Sequence, residues 1–211
     1  VARIAAGRRE ARLITALDEV PRYLFFPEGI EQGFPNEEPV PLRDGRSIPP
    51  VSVVERMIRA LELDGTERVL DVSCGSGYQA AVLSRLAREV ISLETDAELV
   101  SRADSLLAKL GRSNVQVVKA DGYAGWRKLA PYQAIMVSAG APELPAALVE
   151  QLDLDGRLVI ALGDADAQLI ERMRKRSDAL DSETIGACKL DLLPTPRRIP
   201  SVFPWAGPHG R

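Results

Sequence analysis

The sequence predicts an α/β fold, a doubly wound and mostly parallel sheet with helices on both faces. Three observations carry this. From Gly65 onward, strand-length apolar runs alternate with longer segments of helical periodicity. The first of these runs ends in a glycine-containing turn, Asp71-Val72-Ser73-Cys74-Gly75-Ser76-Gly77-Tyr78, that opens a helix. The composition is 45% apolar but only 5% aromatic, with Ala, Leu and Val abundant, which suits layered helix-on-sheet packing. At 211 residues the chain has the length of one domain. We expect N-terminal helices and a proline-rich segment over 1–64, a cofactor-binding core over 65–165, and C-terminal strands with a tail over 166–211.

The elements follow in order. A helix is predicted over 4–20, where Leu13, Ile14 and Leu17 recur at helical spacing and Pro21 ends the pattern. Residues 27–50 hold six prolines and little apolar periodicity. A loop that long inside a compact domain predicts a functional segment, a lid. Pro50 stands where a helix can begin, predicted over 51–61. Strands are predicted at 68–72, 90–93, 115–118, 134–137 and 157–162. Helices are predicted at 79–86, at 97–110 between an Asp96 N-cap and a Gly111 C-cap, and at 144–152. Residues 168–176 fit helix or strand, and 185–193 reads as an added strand. From Pro194 onward the prolines predict an extended periphery.

Composition excludes several functions. A net charge of −3 leaves no basic footprint for nucleic acid. Cys74 and Cys188 cannot build a disulfide framework, and with His209, the only histidine, they make a poor zinc set. That histidine lies near the end of the chain, as an exposed tail residue, so a Ser-His-Asp triad is not expected. No apolar run reaches the length of a membrane span, and the arginines of residues 3–12 accompany no signal-peptide core. A reduced, cytoplasmic setting is expected.

The glycine turn carries the strongest chemical signal. Its backbone N–H groups at a helix N-terminus allow a ligand to approach closely. In open α/β sheets, ligands bind at the carboxyl ends of strands where the topology reverses. Glu94 ends the second strand, where a carboxylate can take both ribose hydroxyls, and Asp121-Gly122 after the third strand can read an adenine edge. Gly75-x-Gly77-x-x-Ala80 also satisfies a loose dinucleotide fingerprint. Asp71 opposes that reading, because it would face a pyrophosphate with like charge. It suits the ammonium and sulfonium of S-adenosyl-L-methionine, the cofactor we expect here.

The chain resembles the protein-L-isoaspartate O-methyltransferases over about 13–163, more weakly to about 193. The resemblance lies in Val20-Pro21-Arg22-Tyr23-Leu24-Phe25-Phe26-Pro27, Gly75-Ser76-Gly77-Tyr78-Gln79-Ala80-Ala81-Val82-Leu83, Asn114-Val115 and Asp121-Gly122-Tyr123-Ala124-Gly125-Trp126. It continues in Ala130-Pro131-Tyr132-Gln133-Ala134-Ile135, Ala141-Pro142-Glu143-Leu144-Pro145, Gln151-Leu152 and Gly156-Arg157-Leu158-Val159-Ile160. It implies a class I, Rossmann-like methyltransferase fold that uses S-adenosyl-L-methionine on the α-carboxylate of an L-isoaspartyl residue in a peptide or protein. Carried over by position, Asp71 with Ser73, Cys74, Gly75, Ser76 and Gly77 would hold the methionine portion. Glu94 would take the ribose, Asp121 and Gly122 the adenine, and the proline-rich loop would close over the site.

Four departures from the family pattern stand out. Ser73 replaces a usual glycine, and Gln133 a usual aspartate. The Thr-Ile-Ser stretch appears as Ser47-Ile48-Pro49, so Pro49 stands at the active-site serine position and Ser47 is the candidate catalytic hydroxyl. The Val-Arg-Phe-Val-Pro-Leu strand appears as Cys188-Lys189-Leu190-Asp191-Leu192-Leu193. A carboxyl methyltransferase for another peptide or small acid, and a silent cofactor-binding module, therefore stay open as alternatives. Elsewhere, plainer expectations hold. Arg172, Arg174, Lys175 and Arg176 read as a solvated face, and Cys74 as a buried filler rather than a thiol of lowered pKa. Tyr123 and Trp126 either stack on adenine or pack their loop, and Glu143 reads as a first-turn helix acid.

Overall fold

The computed structural model describes residues 2–43 and 45–194. The expected proline-rich periphery beyond Pro194, and His209 with it, lies outside the described residues.

Helix α1 (Ala2–Asp18) opens the chain. Leu13 and Ala16 are buried and Leu17 packs against the same core, but Ile14 is 50% exposed. It stands one residue off the apolar stripe, and a 100° step carries it out of the interface. A short 3-10 turn (Arg22–Phe25) follows. The proline-rich segment is not wholly loop: strands β1 (Val40–Pro41) and β2 (Ser47–Ile48) pair antiparallel within it. Helix α2 (Val51–Ala60) begins directly after Pro50, and buries Val53, Val54, Met57, Ile58 and Ala60 along one side.

The alternating core then runs β3 (Arg68–Val72), α3 (Tyr78–Leu83), β4 (Glu89–Glu94), α4 (Ala97–Lys109), β5 (Val115–Lys119), β6 (Tyr132–Ala141), α5 (Ala146–Gln151) and β7 (Leu152–Gly163). Helix α3 is shorter than predicted. The Ser84 hydroxyl donates to the Ala81 carbonyl at 2.6 Å, and the chain tightens into turns after it. Helix α4 carries both expected caps. The Asp96 carboxylate accepts from the N–H groups of Glu98 and Leu99, and Gly111, at φ +69°, closes the other end.

One seven-stranded sheet collects these strands in the order β5-β4-β3-β6-β7, then β8 (Gln168–Lys175) and β9 (Leu180–Cys188). The first five are parallel and the last two antiparallel. Residues 168–175 are thus strand, but the strand expected at 185–193 sits five residues earlier. Its last part instead turns back, and Leu192 bridges Gly140 at the end of β6. The cause is Gln168. Its amide donates to the Leu190 carbonyl and accepts the Leu190 N–H, drawing 190–193 across the sheet end.

Two apolar layers sandwich the sheet. One joins α1 to α4 to Val69, Val90, Ala134, Met136, Val159 and Ala161. The other joins α5 and the 120–130 loop to Leu70, Val72, Ile91, Ile135, Val137, Leu158 and Ile160. The alternation of adjacent residues between the layers is the period of a sheet covered on both faces. The chain moves outward from β3 to β5 and returns to β6, so strand order reverses between β3 and β6. Ligand crevices form at the carboxyl ends of strands at such a point. The glycine turn follows β3, and Ser138 to Gly140 end β6.

Candidate functional site

The turn after β3 is shaped by its main chain. The N–H groups of Ser73 and Cys74 both donate to the Leu93 carbonyl at 3.0 and 2.8 Å, which ties the turn to the end of β4. Ser73 sits at φ +74°, a left-handed conformation where the resembled family has glycine. Gly77, at φ +89°, begins α3 against α4, and a Cβ there would lie 3.2 Å from the Ala103 Cβ. Cys74 is buried, and burial with the nearby Asp71 charge pushes its thiol pKa upward. It is the inert filler expected.

Glu94 takes a central position. One carboxylate oxygen accepts the Gly75 N–H at 2.9 Å. The other accepts the N–H groups of Thr95 and Asp96 at 2.7 and 3.0 Å, and pairs with Arg46 from the β1–β2 hairpin. Asp96 stands 3.7 Å from the same guanidinium. The acidic end of β4 thus anchors both the glycine turn and the lid.

Asp71 lies beneath the turn and has no exposed surface. It accepts hydrogen bonds from Ser92 Oγ at 2.6 Å and from Ser138 Oγ at 3.3 Å. Burial pushes its pKa up to about 6, against the lowering effect of these hydroxyls. It is enclosed beneath the turn and is not among the residues that line the cleft above it.

Asp121 is exposed and accepts the Tyr123 N–H at 2.9 Å. Gly122 is wedged at the end of the sheet, where a Cβ would meet Val72 Cγ1 at 2.7 Å and Leu193 Cδ2 at 3.2 Å. Tyr123 and Trp126 pack against the second apolar layer, the loop-packing reading. Gln151 fixes this loop from α5, accepting the Trp126 N–H and donating to the Ala124 carbonyl.

The proline-rich segment expected as a lid lies beside the turn. Leu42, Arg46, Ser47, Ile48 and Pro49 line one narrow cleft together with Ser73 to Ser76, Gln79, Ser138 and Asp191. Sequence reasoning missed what holds the lid there. Arg22 is buried, and its guanidinium donates to the carbonyls of Pro35, Asn36, Glu38, Ile48 and Pro49, both arms of the segment. The signal was present: a single arginine inside the apolar run Tyr23 to Phe26 and Val20-Pro21. Ser47 Oγ donates to Asp191 Oδ2 at 2.7 Å. Ser52 is turned to Glu37 instead and does not line the cleft.

Two expectations resolve differently. The basic residues of β8, with Arg176 just after it, are not a free solvated face. Arg172 and Arg174 share Glu62, Arg176 pairs with Asp155 and Asp181, and Lys175 caps the carbonyls of Val149, Glu150 and Leu152. Glu143 precedes α5, which starts at Ala146, and so is no first-turn acid. Gln133 links Arg68 N–H to Asp153 at the far end of the sheet. Among the described residues no helix is long and apolar enough to cross a membrane.

Comparison with known proteins gives one consistent family. The sequence profile of protein-L-isoaspartate(D-aspartate) O-methyltransferase matches residues 3–189. The chain is 38% identical over 186 residues to a protein-L-isoaspartate O-methyltransferase of Syntrophobacter fumaroxidans, covering 88% of this chain and 87% of that one. Against a Rhodopseudomonas palustris relative of the same name it is 43% identical over 174 residues, 82% of this chain and 71% of the other. A solved protein-L-isoaspartate O-methyltransferase superposes with a TM-score of 0.78 at 22% identity, over 91% of this chain and 65% of that one. A Plasmodium falciparum structure assigned to the same family, in complex with S-adenosyl-L-homocysteine, gives 0.74 at 20% identity over 87% and 90%. At those identities the two structures bear on the fold.

Proposed function

The chain belongs to the protein-L-isoaspartate(D-aspartate) O-methyltransferase family, and from that premise we infer that it moves the methyl group of S-adenosyl-L-methionine onto the α-carboxylate of L-isoaspartyl residues in proteins. One observation carries the reading: the match over 3–189 takes in the glycine turn at the strand-order reversal, Glu94 beside it, and the lid above both.

The donor's fit is supported by the chemistry of the turn. A cation bound there lies over Asp71, which at a pKa of about 6 is ionised at neutral pH. Asp71 and residues Ser73, Cys74, Gly75, Ser76 and Gly77 would hold the methionine portion, Glu94 the ribose, and Asp121 with Gly122 the adenine. A ribose at Glu94 shares or displaces the Arg46 guanidinium, so donor binding is coupled to the lid.

The bound donor supplies an electrophilic methyl on a positively charged sulfur. The acceptor carboxylate is already ionised at pH 7, so the protein need hold no general base. Its work is alignment and exclusion of water, and positioning of this kind supplies on the order of 7–11 kcal/mol at best. Arg22, by fixing both arms of the lid, sets the wall against which the acceptor is aligned. Ser47 is the hydroxyl nearest the family's serine position, now Pro49.

The decisive assay is radiolabelled methyl transfer to an isoaspartyl peptide beside its aspartyl twin. Label on the isoaspartyl peptide alone supports the reading, and label on neither, with donor bound, removes it. Pro49 and Asp191 favour one second reading, a carboxyl methyltransferase for another peptide or small acid, which the same assay on a protein extract would reveal. A cytoplasmic setting is part of the proposal, supported by two cysteines that are both free thiols.

A further inference from the structure

Beside the donor cleft lies an open groove of about 930 Å³, lined by Pro39, Pro50, Val53, Lys189, Leu190 and Pro194 among others. Arg46, Ser47, Asp191 and Leu192 line both spaces. Asp191 therefore stands where an acceptor in the groove meets the donor.

Its backbone cannot retreat. The Asp191 carbonyl accepts the Gly140 N–H at 2.8 Å, the Leu193 N–H donates to the Gly140 carbonyl at 2.8 Å, and the Gln168 amide holds Leu190 on both sides. Among the described residues its carboxylate has one hydrogen-bond partner, the neutral Ser47 hydroxyl. The cations of the groove are engaged elsewhere: Arg46 with Glu94 and Asp96, Lys189 with Asp166 at 3.5 Å. Among the described residues no cation pairs with Asp191. A carboxylate on a fixed backbone, with no compensating cation among the described residues, thus borders a reaction whose acceptor is itself a carboxylate, and like charges at close range repel.

We propose that Asp191 sets acceptor specificity, selecting isoaspartyl segments that carry a cation, a lysine, arginine or free amino terminus, directly beside the methylated carboxylate. The proposal rests on the carboxyl transfer inferred above. The neighbouring cation pairs with Asp191 and cancels the repulsion that an acidic or neutral neighbour leaves in place.

The test uses three synthetic isoaspartyl hexapeptides that differ only in the next residue, Lys, Ala or Glu. Their binding to the full chain saturated with S-adenosyl-L-homocysteine is read by calorimetry, and their kcat and KM by methyl transfer. Kd and KM should rise in the order Lys, Ala, Glu, spanning roughly tenfold at low ionic strength with kcat nearly constant. Added salt should compress the span. Asp191→Asn keeps an acceptor for the Ser47 hydroxyl but removes the charge, and should shrink the span to about threefold or less. Equal affinities in the wild type, an unchanged span in Asp191→Asn, or no binding by any peptide each overturn the proposal. Ordered binding without methylation of any peptide leaves it standing and sinks the carboxyl-transfer reading instead.

Discussion

Replacing Asp71 by asparagine separates the cost of the buried carboxylate from its use. The group is fully enclosed, and burial raises its pKa from 3.8 to about 6, with Ser92 and Ser138 pulling down and Glu94 pushing up. Because the folded value is raised, the native state holds the proton more tightly than the unfolded chain does. The corresponding stability is fully present below about pH 3.8 and is lost as pH rises through about 6. Converted to free energy, that displacement is about 3 kcal/mol carried as a penalty at pH 7 and above. Asparagine has the same shape and can still accept one serine hydroxyl, but never ionises. The variant should therefore gain on the wild type by about 2–3 kcal/mol between pH 4 and pH 8. Urea unfolding of both proteins across that range measures it, and their difference cancels every other titrating group. The same variant should bind S-adenosyl-L-methionine more weakly, since the fixed charge under the sulfonium is gone. A stability difference that does not change with pH, or one that moves against the variant as pH rises, would refute the reasoning.

The remaining predictions concern the turn and the lid. Glu94→Gln should weaken S-adenosyl-L-homocysteine binding by about 1.5–3 kcal/mol, the range for hydrogen bonds to a charged group, and calorimetry that finds no loss removes the ribose assignment. Pro49→Ser should raise kcat/KM on an isoaspartyl peptide about tenfold or more, whereas Ser47→Ala should lower it; the opposite order would return the hydroxyl's role to some other group. Ser73→Gly relieves a left-handed serine worth roughly 1–2 kcal/mol and returns about 0.5–1 kcal/mol as unfolded-chain entropy. The net gain should raise Tm by roughly 1–4 °C, and a lower Tm in calorimetry contradicts the strain.

What was legible in the sequence is what short-range physics dictates. The parallel core announced itself because strands covered on both faces are uninterrupted apolar runs, such as Leu158 to Leu162, and because helix caps such as Asp96 and Gly111 act within one turn. The positions of the glycine turn and of Glu94 were legible for the same reason, since both lie at fixed offsets from strand ends. Contacts across long sequence separations were not. Nothing near Gln168 announces that its amide captures Leu190 and displaces the expected last strand. Nothing in the proline-rich segment says that its carbonyls converge on Arg22, or that Arg46 returns to Glu94. The burial of Asp71 involves Ser92 and Ser138 from two neighbouring strands, which nothing close to it in the chain announces.

The two halves of the site tolerate change differently, and the reason is how each is built. In the glycine turn and at Gly122 the side chains themselves are constrained by space and backbone. Ser73 and Gly77 hold positive φ, and Gly122 has Val72 within 2.7 Å of where a Cβ would sit. A side chain added at Gly77 or Gly122 would disturb the shape. In the 47–49 and 190–193 segments the scaffold is held through main-chain groups. Arg22 binds the carbonyls of Ile48 and Pro49, Gln168 binds the backbone of Leu190, and Gly140 binds that of Asp191 and Leu193. A carbonyl accepts the same hydrogen bond whichever side chain its residue carries. Proline can therefore stand at position 49 and aspartate at 191 without moving the wall they belong to. Side chains of the 47–49 and 190–193 segments are then free to change singly, while the geometry of the glycine turn stays fixed.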